Sequence, residues 1–208
     1  VTGYGQAYLT VTYMGSTSLI QVVSPQPLSA AFPSVPANNQ IDTLVFDHLK
    51  ALGIPPSDLC TDEVFVRRVY LDVIGRLPTQ EQAQTFLADT DLAKRSKLID
   101  QLLASDAFAD FAALKWSDLL RIKSEFPSNL WPNAVQAYYQ WVRSSIMANK
   151  PYDQFVRELL VSSGSNFREP TSNYYRALAD RDPQGFAEQT AMVFMGARMS
   201  CARCHAHP

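Results

Sequence analysis

Thr61-Asp-Glu-Val-Phe-Val-Arg-Arg-Val-Tyr-Leu-Asp-Val-Ile-Gly75, with Arg76-Leu-Pro-Thr-Gln-Glu-Gln82 directly after it, decides the fold class. Thr61 with Asp62 and Glu63 opens a helix, Val64, Phe65, Val69 and Leu71 carry it forward, and Gly75 stops it. Thr79 to Gln82 then has the spacing of a capping box, so another helix starts almost at once and runs through Phe86 and Leu87. A start, a stop and a second start in so short a span describe helices joined by tight loops, not strands with crossovers.

The same punctuation continues in both directions. Upstream, Ile41, Leu44, Val45, Leu49 and Leu52 make an apolar stripe that ends at Gly53, before the Pro55-Pro56 break. Downstream, helices are expected over Leu92 to Leu103, Phe108 to Ile122, Ala134 to Met147 and Tyr152 to Val161, the last two flanking Lys150-Pro151. After a polar loop, Asp182-Pro183 supplies an N-cap and a first-turn proline for a final helix towards Met195 and Gly196. The expectation is an all-α multi-helix domain over residues 39–208.

The chain before that point is a different body, because residues 1–40 contain no Asp, Glu, Lys or Arg. Tyr8-Leu-Thr-Val-Thr-Tyr13 and Ser18-Leu-Ile-Gln-Val-Val23 are β-branched and aromatic runs separated by Met14-Gly-Ser-Thr17, which reads as a hairpin within residues 1–24. A lone hairpin is marginal in water, so it is expected to complete a sandwich begun upstream. Pro25, Pro27, Pro33 and Pro36 make residues 25–38 an extended, fairly stiff linker.

Composition narrows the classes of partner. A 208-residue chain with 47% apolar residues is ordinary for a globular protein. A net charge of −2 and a pI near 5.9 supply no basic stripe, so no nucleic-acid partner is expected. The apolar runs are too short and interrupted for a membrane-spanning segment. A start at Val1 inside a strand-like pattern is read as a fragment whose signal peptide lies outside it, and the helical domain is expected to continue past Pro208.

The chemistry is concentrated in Cys201-Ala-Arg-Cys-His-Ala-His-Pro208, which holds two of the three cysteines and two of the three histidines. Cys-x-x-Cys-His reads as covalent attachment of haem c. On one helical turn Cys201, Cys204 and His205 stand at i, i+3 and i+4, so two thiols can tether the porphyrin edge while the His205 imidazole reaches the iron as proximal ligand. Zinc, with His207 as a further ligand, is the competing reading, although Pro208 disfavours helical backbone at His207. A Cys201–Cys204 disulfide, with no cofactor, is the blander one. Cys60 is expected to be a small buried side chain. For the sixth iron position, Met192, Met195 and Met199 lie too close upstream, leaving Met147, His48, a group outside these residues, or an open site.

Other charged and aromatic residues have simpler readings. Arg67, Arg68 and Asp72, then Asp118 and Arg121, then Asp153, Arg157 and Glu158 place opposite charges at i+3 or i+4, and are expected to pair within or between helices. Trp116, Trp131, Trp141, Tyr138 and Tyr139 have helical spacing and are expected in the core. No dinucleotide fingerprint, phosphate loop or nucleophile elbow is present.

Seven motifs occur in order: Ile41-Asp-Thr-Leu-Val45, Gly53-Ile-Pro-Pro-Ser57, Phe65-Val-Arg-Arg-Val-Tyr-Leu-Asp72, Ile74-Gly-Arg-Leu-Pro-Thr79, Lys115-Trp-Ser-Asp-Leu-Leu-Arg121, Asn149-Lys-Pro-Tyr-Asp-Gln-Phe-Val-Arg-Glu-Leu159 and Cys201-Ala-Arg-Cys-His-Ala-His-Pro208. The set resembles the planctomycete-type cytochrome c domain family, catalogued as a domain of unknown function. The resemblance implies a haem-attachment role for Cys201, Cys204 and His205, and an exported, multidomain protein of the periplasm or cell surface. It also implies that residues 1–24 end an immunoglobulin-like module. The leading expectation is therefore a c-type-haem domain in electron transfer or a haem-dependent redox step, whose partner is a redox protein or a downstream domain of the same chain. The alternatives are a cell-surface interaction or scaffold module with a Cys/His disulfide or metal site and, more weakly, a polysaccharide-acting hydrolase using a carboxylate such as Asp118 or Asp153.

Overall fold

In the computed structural model, which describes residues 3–125, 130–178 and 181–204, the chain folds as two compact units, 1–60 and 61–208. The first holds an antiparallel hairpin of β1 (Gly5–Tyr13) and β2 (Ser16–Ser24), with Gly5 opposite Ser24 and Tyr13 opposite Ser16. The turn is only Met14-Gly15, shorter than the sequence suggests. Both residues take positive φ, the geometry that matches strand twist in a two-residue turn. Leu9, Val11, Leu19 and Ile20 remain exposed on the hairpin.

Helix α1 (Gln40–Leu52) belongs to the same unit. Asn39 caps its start by accepting from the Asp42 N–H, and Gly53 ends it in the left-handed region. The Gln26 N–H donates to the Leu52 carbonyl at 2.8 Å, so the proline-rich segment is tied to the helix end.

The second unit is helical throughout, apart from its loops. Helices α2 (Asp62–Ile74), α3 (Gln80–Ala88) and α4 (Lys94–Leu103) enclose a core of Val66, Val69, Tyr70, Ile74, Phe86, Leu98 and Leu102. The capping box of α3 forms as read, with Thr79 and Gln82 each bonding the other's backbone N–H. Helices α5 (Asp106–Leu119), α6 (Pro132–Met147) and α7 (Tyr152–Val161) build a further core around Ala113, Leu120, Tyr138, Val142, Phe155 and Leu159. The short α8 (Asn173–Ala177), which supplies Tyr174 and Ala177, and the longer α9 (Pro183–Met195) complete it. The all-α domain after a β-hairpin is what the periodicity predicted.

Three expectations need correction. The polar loop after α7 contains a 3₁₀ turn (Pro170–Ser172) and α8, and Thr171, Ser172 and Asn173 are buried there. The Asn173 Nδ2 donates to the carbonyls of Asn166 and Pro170 at 2.8 and 2.9 Å, so an amide replaces the apolar side chains on which periodicity relies. Second, most of the i+3 and i+4 charges do not pair as expected, although Glu158 meets Lys150 and Arg121 reaches α9 through Gln189. Arg67, Arg68, Asp72, Asp118, Asp153 and Arg157 are exposed and take part in no ion pair among the described residues, where water competes effectively with such pairs. The pairs that do form join elements: Arg143 of α6 bonds Asp106 and Asp110 of α5, and Asp62 of α2 meets Lys94 and Arg95 of α4. Third, Trp131 is 72% exposed ahead of α6, whereas Tyr138 is fully buried and Trp116, Tyr139 and Trp141 pack against the core.

Two measurements follow from this packing. Gly75 and Gly196 have nearly equal φ, 69° and 66°, but a Cβ on Gly75 would meet Phe111 ring carbons at 2.4 Å whereas one on Gly196 would meet nothing within 4 Å. Gly196→Ala should therefore lose only the left-handed strain, about 1 kcal/mol, and Gly75→Ala about 1–3 kcal/mol more, read as urea-unfolding free energies. Equal losses would refute the close approach of Phe111. At the other core, Lys94 and then Arg95 hold the Asp62 carboxyl below its ordinary value of 3.8. A depressed folded value means that this contribution is complete above the unfolded pKa and fades as pH falls through the lower, folded one. Asp62→Asn should thus be less stable at neutral pH and should show a shallower loss of stability below about pH 4, measured by unfolding at a series of pH values.

Candidate functional site

The cysteine motif follows α9, so the placement of that helix sets the site. Asp182 caps it, its carboxylate accepting from the Gly185 N–H at 2.6 Å, and Pro183 occupies the first turn. Three side chains then hold it to the rest of the domain. Arg121, just past α5, donates to the Gln189 carbonyl oxygen at 3.2 Å. The Tyr174 hydroxyl of α8 lies 3.1 Å from that of Thr190, and the Tyr152 hydroxyl of α7 donates to the Phe194 carbonyl at 3.0 Å. Aromatic contact reinforces this anchoring, because Phe194 lies within ring-contact distance of Trp116 and Tyr174.

Beyond the stop at Gly196 the chain forms a 3₁₀ turn, Ser200–Arg203, with Cys204 closing it. The α-helical turn expected from the Cys-x-x-Cys-His spacing is therefore a tighter one. In a 3₁₀ turn residues i and i+3 eclipse, so Cys201 and Cys204 still share a face, while Ser200 and Arg203 share another about 120° away. Both thiols are exposed and free. Arg203, between the two cysteines in sequence, donates to the Glu188 carboxylate of α9 and stands 4.0 Å from Asp182. That pair folds the turn back onto its helix.

His205 and His207 lie outside the described residues, so neither the haem-iron nor the metal-ion ligand set can be read from the geometry. Among the described residues no cluster of three or more His, Cys, Asp or Glu could hold a metal ion. Met192, Met195, Met199 and Met147 are all exposed, as is His48, which belongs to the other unit. Cys60 is half-buried. Asp118 and Asp153, the carboxylates of the hydrolase reading, are exposed on α5 and α7. No helix among the described residues is long and apolar enough to cross a membrane.

Sequence reading missed the cavity that flanks the turn. It measures about 240 Å³ and is lined by Arg121, Arg198 and Arg203 with Glu188, over a floor that includes Met192 and Met199. Its one legible sign was Arg203 inside the motif, because the other members come from separate elements.

A family profile matches residues 40–208, from the start of α1 through the cysteine turn. The chain belongs to the PSCyt2 family. That family is described as a protein of unknown function (DUF1549). The match spans the helical domain and leaves the hairpin outside it. Comparison with curated proteins and with solved structures yields no match.

Exposure orders the thiols by reactivity. Folded protein made without haem-maturation enzymes and treated with a maleimide should label Cys201 and Cys204 rapidly and Cys60 more slowly, resolved by peptide mass spectrometry. Equal rates at all three would contradict the exposure seen here.

Proposed function

We propose that the domain carries covalently attached haem c and serves in electron transfer or a haem-dependent redox step, within an exported protein of the periplasm or cell surface. The observation that carries this reading is the pair of free, exposed thiols sharing one face of the 3₁₀ turn, with His205 next in sequence. The donor set suits the group. Each thiol would form a thioether by adding across a vinyl double bond, sulfur bonding one carbon and the proton going to the other, which consumes no oxidant. His205 would supply the proximal nitrogen. Haem held there would supply one-electron chemistry at iron.

The chain's own residues prepare the attachment. Glu188 holds Arg203, which fixes the turn between the cysteines, and the tethers from Arg121, Tyr152 and Tyr174 hold α9 beneath it. Anchoring of this kind keeps two thiols in one orientation toward a flat ligand. The hairpin, with exposed apolar side chains on its strands, suits the closing strands of an immunoglobulin-like module in the same exported protein.

The test is intact-mass spectrometry with a visible spectrum on protein made in a periplasm with haem-maturation enzymes. A mass increase of one haem, lost in Cys201→Ala/Cys204→Ala, is the expected result. An unmodified chain, or one lacking two protons through a disulfide or carrying a bound metal ion, would overturn it and make the motif structural.

A further inference from the structure

Among the described residues, the cavity beside the cysteine turn carries more cationic than anionic side chains. Among its described lining residues, three guanidinium groups, from Arg121, Arg198 and Arg203, stand against one carboxylate, that of Glu188. Arg203 uses that carboxylate and approaches Asp182 at 4.0 Å. Arg121 bonds only the neutral amide of Gln189, and Arg198 makes no hydrogen bond or ion pair among the described residues. Two cationic groups thus share a concave space with no ion-pair partner among the described residues.

The backbone at Arg121 points the same way. After α5 the Ile122 N–H bonds the Ser117 carbonyl and the Arg121 N–H bonds that of Asp118, which is the paired closure that ends many helices. The same closure ends α1, where the Ile54 and Gly53 N–H groups bond Leu49 and Lys50. At α1 the left-handed position is glycine, with φ 68°, whereas at α5 it is Arg121, with φ 55°. Glycine would occupy that position without the steric cost that an arginine carries. The arginine is kept at a conformational cost, and its side chain lines this cavity and also an adjoining one with Ser117, Asp118, Ile122 and Lys123.

We infer that the cavity is a binding site for a small organic monocarboxylate, with Arg121 and Arg198 holding the carboxylate and Met192, Met199 and Leu178 receiving the apolar part. Planar guanidinium groups match the two oxygens of a carboxylate, and thioether side chains adapt to an apolar body of varied shape. The size limits the ligand. About 240 Å³ is below the usual range for drug-sized molecules, roughly 300–1,000 Å³, so a compact acid fits and an extended one does not. This site stands apart from haem attachment: Ser200 and Arg203 line it, while Cys201 and Cys204 occupy the other face of the turn.

The experiment is an amide-resolved NMR titration of the full chain with benzoate, its neutral isostere benzamide, and inorganic phosphate. Benzoate should saturate signals from Arg121, Gln189 and Met199, and should bind about 10- to 100-fold more tightly than benzamide, as expected for charge-assisted hydrogen bonds. Arg121→Gly and Arg198→Ala should each remove most of that difference, weakening benzoate far more than benzamide. Arg121→Gly should keep its unfolding midpoint, since relief of the left-handed strain offsets loss of the Gln189 bond, so failure to fold does not confuse the result. Arg198→Ala, at an exposed side chain, provides the second check. Equal binding of benzoate and benzamide, absence of saturation, or a preference that survives both substitutions would overturn the site. Phosphate binding more tightly than benzoate would overturn the carboxylate assignment in favour of an inorganic oxyanion. None of these outcomes depends on whether haem is attached, which the intact mass reports separately.

Discussion

The contact of α5 with α6 is the constraint on which the helical unit rests. Ala109 and Ala113 of α5 and Ala134 of α6 have no solvent exposure, so small side chains let the two helices approach over their whole contact. Tyr138 and Val142, also fully buried, fill the space beside that seam and give Phe155 and Leu159 of α7 and Tyr174 of α8 something to pack on. Burial pushes the Tyr138 phenol well above its ordinary range, and its hydroxyl has no hydrogen-bond partner among the described residues. The ring is therefore present for volume. Such an orphan hydroxyl is tolerated because the ring area it brings outweighs one unmade hydrogen bond.

Charge then locks what apolar packing has placed. Arg143 spans Asp106 and Asp110 across the α5–α6 contact, and Asp110 foremost keeps its guanidinium more firmly protonated than usual. At the far end of α6, Lys150 and the Trp141 indole N–H meet on the Glu158 carboxylate of α7. These pairs are partly exposed and each adds little stability, but they set orientation between helices. The chain of placement continues outward: α9 is held by Arg121, Tyr152 and Tyr174, and the cysteine turn is held by α9 through Glu188 and Arg203. The cysteine turn therefore sits at the end of a series of contacts between elements, with both thiols exposed. That position suits a reactive group that another molecule must reach.

Much of the fold was legible because helices announce their ends with local chemistry. Asn39, Thr79 and Asp182 cap helices with side-chain oxygens, and Gly53, Gly75 and Gly196 close them in left-handed geometry, whereas the Ser105 cap of α5 went unread and that helix starts at Asp106 rather than Phe108. Such signals act within four residues and need no partner from afar. The segment after α7 was illegible for the opposite reason. Its burial rests on Asn173 reaching two carbonyls, and polar sequence that folds around an amide looks like any surface loop. The end of α5 was equally hidden, because Arg121 takes the place where glycine normally marks a stop.

For the candidate site the division is similar. The sequence by itself determined the pairing of Cys201 with Cys204 on one face and the presence of His205 beside them, since that depends on spacing along a single turn. It also determined the helical class and most helix boundaries, through periodicity and capping that are local. Only the tertiary structure decided that the turn is 3₁₀, that Glu188 ties it to α9, and that Arg121, Arg198 and Arg203 face one cavity. Arg121 lies far from the others in the chain and Glu188 is 15 residues from Arg203, and ion pairs and cavities depend on distance in space, which spacing in sequence does not encode.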